Sequence, residues 1–139
     1  MTIPKFRAWD KLGKIMLPVG DIDTSYKLVY LEEDNGYRCE RDFDEIELMQ
    51  FTGLKDKNGK EIFEGDIVKY KLEEKAFTDI ASFNKFFACF GLEDDTGDWF
   101  CSFDWLLENI KQGDIEVIGN VYENQGLLRG DICVNGRIS

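Results

Sequence analysis

Apolar and polar residues alternate with a period near two over much of this chain, and clusters of turn residues break the alternation at short intervals. That pattern predicts short, half-buried strands rather than helices. The apolar runs "FRAW" and "KIMLPV" flank "DKLGK", a hairpin in which Gly13 is expected to take the positive φ of a tight turn. "TSYKLVYLEEDNGYRCERDF" alternates with Tyr26, Leu28 and Tyr30 on one side, and Asn35-Gly36 supplies the next hairpin turn. "FDEIELMQFTGL" predicts a strand ending near Gly53. Asn58-Gly59 reads as a type I′ turn joining "FTGLKDK" to "KEIFEGDIVKYK". Within that segment Gly65-Asp66 bends the chain before Ile67, Val68 and Tyr70 resume a strand, as where a strand enters an SH3-like barrel. Gly36, Gly59 and Gly65 are therefore structural turn positions.

The middle of the chain carries two patterns at once. Phe83, Phe86, Phe87 and Phe90 fall at helical spacing, yet "FFACFGL" also reads as a buried strand following an Asn84-Lys85 turn. Strands on both sides favour strands over residues 76–92, because a sheet needs partners for its edges, and a helix is the alternative. Beyond it, "EDDTGDWF" is a turn and "WFCSF" a strand, after which Asp104 is expected to cap a short helix "WLLENI" that breaks at Gly113. "DIEVIGNVYEN" alternates Ile115, Val117 and Val121 and closes the sheet. The fold expected is mostly β, with N-terminal β-hairpins (about residues 1–50) packed on a C-terminal SH3-like β-barrel (about 51–128) and at most one or two short helices. Residues 1–128 are expected to form a single compact domain, and 129–139 a weakly patterned tail whose Arg129-Gly130-Asp131 is a chance tripeptide.

Composition narrows the chemistry. Of 139 residues, 43% are hydrophobic and 14% aromatic, enough for a real core. Twenty-eight acids against 17 bases give a net charge of −11, which repels duplex nucleic acid and anionic membrane surfaces. The acids are interspersed with Lys rather than massed, so a nucleic-acid mimic is not expected either. There is no His, and Cys39, Cys89, Cys101 and Cys133 lie in no C-x-x-C spacing, so no zinc pattern exists. With no secretory apolar segment and no run of 18 apolar residues, a cytoplasmic chain with reduced thiols is expected.

Catalytic devices are missing by type. The commonest general base is absent, no Ser stands in a G-x-S-x-G elbow, and Cys101 between Phe100 and Ser102 has no His to activate it. No glycine-rich phosphate loop occurs. Asp56, Asn58 and Lys60 have the spacing of a calcium loop, but Gly59 sits at the fourth position instead of the sixth. Asp94 and Asp98 stand in a Gly-containing turn, where acids serve the turn itself. The expectation is therefore no catalytic residue, no metal and no cofactor. Binding is better supplied: Trp9, Trp99 and Trp105, with Phe6 and Tyr37, exceed what a small barrel buries. Arg7 and Arg38 sit beside aromatics, so the predicted ligand or partner contacts are Arg7, Trp9, Arg38, Trp99 and Trp105.

"KFRAWDK", "LMQFTGLKDKNGKEIFEGDIVKY" and "IEVIGNVYEN", in that order, resemble the YopX family over roughly residues 3–128. The resemblance implies a small phage- or prophage-encoded protein, mostly β, with an SH3-like barrel in its C-terminal half; it carries no catalytic residue. The chain departs from the pattern at Gln125-Gly126, where a proline and an acid are common, and in its tail. The first functional expectation is a non-enzymatic accessory protein that binds a host protein in the cytoplasm of the bacterial host. A stable partner in a pull-down marks it. The alternatives are a homo-oligomer sequestering a nucleotide-type small molecule, marked by a ligand-induced melting shift, and a carboxylate- and metal-dependent hydrolase, marked by turnover that a chelator abolishes.

Overall fold

The computed structural model of the chain describes residues 5–111 and 114–131. It falls into two compact units, Met1–Phe51 and Thr52–Ser139. Two antiparallel sheets and two short helices make up the regular structure, so the mostly-β expectation holds.

The first unit is a meander. Strands β1 (Phe6–Asp10), β2 (Ile15–Asp23), β3 (Leu28–Glu32) and β4 (Arg38–Asp42) follow one another, and a 3₁₀ turn at Phe43–Glu45 leads into β5 (Ile46–Lys55). The sheet order β4-β3-β2-β1-β5 shows that this turn carries the chain from the far edge back to the free side of β1. Ala8, Leu17, Val29, Leu31 and Ile46 form the core. The inward residues of β3 are thus Val29 and Leu31, while Tyr26 is exposed. Leu28 and Tyr30 share the other face of β3 and Tyr26 lies in the turn before it, so the inward set is the aliphatic one that packs with Ala8.

Three turn assignments change in detail. In the first hairpin Lys14, not Gly13, takes the positive φ, 55°. Gly13 is required for closeness instead: a Cβ there would lie 2.7 Å from Oδ2 of Asp10. The Asn-Gly turns are also not type I′. Gly36 N donates to Glu33 O and Gly59 N donates to Asp56 O, both at 3.0 Å. Only the glycine of each turn has positive φ, 86° and 80°, so each is a three-residue loop closed by a glycine bulge. The two-residue turn with both φ positive is Glu73-Glu74, at 52° and 68°.

In the second unit the end of β5 is followed by β6 (Glu61–Phe63), where Thr52 Oγ1 donates to Ile62 O at 2.7 Å. Gly65, at φ 86°, makes the predicted bend into β7 (Asp66–Leu72). Then come β8 (Lys75–Asn84), β9 (Cys89–Glu93), β10 (Phe100–Ser102), helix α1 (Phe103–Asn109), β11 (Ile115–Asn120) and helix α2 (Gln125–Asp131). Residues 76–92 are a strand hairpin, and the helix-like spacing of phenylalanines has a simple origin. Phe83 and Phe90 are register partners across β8 and β9, with ring centroids 5.2 Å apart. Ile62, Val68, Tyr70, Ala81, Leu92, Phe103, Leu106, Ile115 and Val117 form the core.

The five strands run β10-β9-β8-β7-β11, an open order with β10 and β11 at its ends. The sheet that was expected to close into an SH3-like barrel is therefore not closed by its ladders among the described residues. The β11 register shifts between Val117 and Gly119, so Val121 drops out of the predicted alternation and its N–H donates to Gly65 O at 2.9 Å. The α1 cap is Ser102 rather than Asp104: its Oγ accepts from Trp105 N at 3.2 Å, and Asp104 stands in the first turn. The helix ends at Asn109, and the break predicted at Gly113 lies outside the described residues.

Candidate functional site: an aromatic surface with an acidic rim

The second unit displays large aromatic rings that its core does not use. Phe86 is 95% exposed, Phe87 70%, Trp105 47%, Phe83 44% and Trp99 38%, values far above what plain core packing leaves. They come from neighbouring elements: the end of β8, the β8–β9 turn, the β9–β10 turn and the first turn of α1. The Phe87 and Phe100 rings stack at 5.9 Å with planes 11° apart, which fixes the turn over β10.

Local sequence explains the display. Oδ1 of Asn84 accepts from the N–H groups of Phe86 and Phe87 at 2.9 and 3.0 Å, forming an Asx turn that presents both rings. Ala88 completes the turn at φ 53°. Asp94 does the same for the next loop, its Oδ1 accepting from Thr96 Oγ1 at 2.9 Å and from the N–H of Asp98 at 3.1 Å. Burial alone would raise the Asp94 carboxyl, but Thr96 and the N–H groups of Trp99, Gly97 and Asp98 together hold it below the usual range. Its Oδ1 is thus engaged in the turn, and no group of three acids or thiols placed to hold a metal occurs among the described residues.

A depression of about 290 Å³ runs along β10, lined by Trp99, Phe100, Cys101, Ser102 and Trp105. Gly91 permits the close packing beneath it, because a Cβ there would collide with the Cys101 carbonyl oxygen and the Phe100 ring. Trp105 is held from both sides, by the Ser102 cap at its N–H and by Asn109 Nδ2, which donates to its carbonyl at 2.7 Å. The Cys101 thiol is pushed up by burial and then by the negative charge of Asp79, which makes it a poor nucleophile. The segment that carries the rings is mostly of one sign: residues 83–110 contain Glu93, Asp94, Asp95, Asp98, Asp104 and Glu108 against Lys85 alone.

Of the predicted contacts, then, Trp99 and Trp105 meet at one depression. The others belong to the first unit. Arg7 and Trp9 share a face of β1 and are half-buried, with Arg7 opposite Pro18 and Met49. Arg38 lies on edge strand β4 and pairs with Glu32 at 3.3 Å. It borders a depression of about 490 Å³ that also holds Asp21 and Asp23, a poor anion clamp. In the strand order β2 and β3 stand between Arg7 and Arg38. Sequence reasoning passed over Phe86 and Phe87 as ligand contacts because it placed them in a buried strand; Asn84-Lys85 was the signal that they form a turn. It also passed over Arg41, whose Nε and Nη2 fork onto Asp10 at 2.9 and 3.1 Å. No local pattern announces that pair, since the partners are brought together by strand order alone.

Comparison with known proteins agrees with this architecture. The family model described as YopX protein matches residues 5–129. Protein EF1440 from Enterococcus faecalis is a solved structure similar to this chain at 32% identity, covering 92% of this chain and 99% of its own, with a TM-score of 0.58. Protein yopX from Bacillus subtilis is similar in fold at 21% identity, covering 89% of this chain and 97% of its own, also with a TM-score of 0.58. No curated protein matches the chain. No helix among the described residues is long and apolar enough to cross a membrane. With a match that spans nearly all the described residues, the chain belongs to the YopX protein family.

Proposed function

We propose that this protein is a non-enzymatic binding protein, a phage-type accessory factor that holds a protein of its bacterial host through the aromatic surface around β9 and β10. The observation that carries this reading is the exposure of Phe86, Phe87 and Trp105, 95%, 70% and 47%, on turns that their own Asx and cap bonds hold in place. Large exposed rings on ordered backbone cost stability and solubility without a partner, and ordered aromatics bind with little loss of side-chain freedom. Strands hold the core, so turns are where a small β protein meets its partner.

The test is to capture proteins from host cytosol with the full chain and with Phe86→Ala/Phe87→Ala, then to measure the purified partner's affinity for both. The double variant should stay folded, losing no more than the Phe87–Phe100 stack contributes, about 0.5–1.5 kcal/mol, and should bind about tenfold or more weakly. A partner held equally well by both proteins would remove the aromatic surface from the binding role.

A further inference from the structure

Resting on that binding reading, we infer the chemistry of the partner segment: a basic, extended peptide that lies along β10 and adds a strand to it, its apolar side chains meeting Trp99, Phe87 and Trp105. Three independent observations lead here. The first concerns the edges of the second sheet. The β11 edge is occupied, because Lys57 N donates to Ile115 O at 2.9 Å and Val117 N donates to Asp56 Oδ2 at 3.0 Å. It also carries a register shift, a device that blunts an edge. The β10 edge, Phe-Cys-Ser, carries no charge, proline or glycine. By contrast β4, which ends the other sheet, has four charged residues among its five, Arg38, Glu40, Arg41 and Asp42. The β10 edge thus lacks the charges of β4 and the covering bonds and register shift of β11, and its length of three residues is the guard it has.

The second observation is shape. The lining of the β10 depression is four consecutive residues, Trp99 to Ser102, with Trp105 at one end. A lining of consecutive strand residues suits an extended chain better than a compact ligand. The third is charge. Six acids against one lysine over residues 83–110 favour a segment rich in Lys or Arg and repel the phosphates of single-stranded nucleic acid, which would otherwise suit an aromatic platform. A second copy of this chain docked by the same face would set two acidic rims against each other, so like does not pair with like here.

The experiment uses the full chain with a short synthetic peptide of sequence KVKIKVK, followed by tryptophan fluorescence and by amide hydrogen exchange at Phe100–Ser102. The inference expects binding that weakens with salt, slows exchange at the β10 amides, and falls about tenfold or more in Phe87→Ala/Trp105→Ala. A peptide N-methylated at alternate amides should not bind, since it cannot complete a ladder. If the methylated peptide binds equally, strand addition is overturned and ring docking alone remains. If EVEIEVE binds as tightly as KVKIKVK, the charge assignment is overturned. If neither peptide responds to the ring substitutions while host-partner capture still does, this inference fails and the binding reading stands; if capture is unaffected too, both fail.

Discussion

Asp56 joins backbone from distant parts of the second unit. Its carboxylate accepts N–H bonds from Asn58 at 2.8 Å, Lys60 at 2.9 Å and, 61 residues away, Val117 at 3.0 Å. Burial pushes this carboxyl up, but the three donors outweigh it and leave it below the ordinary range. Because the folded value is depressed, its stabilisation is complete above the unfolded value of about 3.9 and is lost as pH falls through the folded one. Asp56→Ala should therefore cost about 1–3 kcal/mol near neutrality, mostly from the stranded Val117 N–H. In urea titrations the gap between Asp56→Ala and the parent should narrow below pH about 4; a gap constant with pH would show that the charge is not what matters. Asp10 follows the same sign: burial raises it, and the Arg41 fork with the Gly13 and Leu12 N–H groups more than reverses that. Gly65→Val should cost about 1–3 kcal/mol, since φ 86° is strained for any branched residue; unchanged melting would mean that the bend relaxes freely. The sequence marks Gly65 and the Asp56 turn locally. It cannot announce Val117 or Arg41, because those contacts are set by which strands end up beside each other.

Among the elements, the β7–β8 turn works against its own residues at two successive positions. Glu73 and Glu74 both adopt left-handed backbone, φ 52° and 68°, and bring like charges together where Asn-Gly would be at ease. Glu73→Asn/Glu74→Gly should raise stability by about 1–2 kcal/mol, read as a higher melting temperature. A lower one would argue that these glutamates make a contact worth more than the strain. The reverse error of sequence reading has the same root. Asn35-Gly36 and Asn58-Gly59 were legible as turns, but their type depends on whether the flanking strands leave room for two residues or three. Phe83 and Phe90 look helical in one dimension and are cross-strand partners in space. Ser102 and Asp104 are both acceptable caps, and only the strand that precedes α1 selects Ser102. Strand content was thus readable from alternation, whereas phase and closure were not, because Val29 and Tyr30 are apolar alike and sheet edges are decided by distant segments.

For the molecule as a whole, charge sets two responses of opposite sign. A chain at −11 repels itself in the folded state. Raising salt from about 0.01 M to about 0.15 M shortens the screening length from about 30 Å to about 8 Å. The same change should lift the melting temperature while weakening capture of a basic partner. A melting temperature that falls over this range would show that favourable pairs such as Arg41–Asp10 outweigh the general repulsion. Family membership was legible at this scale because three motifs stand in order. The aromatic surface was only half legible, through Trp99 and Trp105, since exposure is a property of the folded object and not of any one residue.

The position of β11 has a consequence for the newborn chain. Its partner in the ladder is β7, and the Asp56 turn covers its other side. A ribosome finishes β7 through β10, which pair locally in order, well before it reaches Ile115. Until then β7 shows an open edge bearing Ile67 and Val68, and Asp56 lacks its third donor. Synthesis halted between β10 and β11 would leave a nascent protein with an adhesive flank, dependent on chaperones, and β11 acts as the latch that ends this interval.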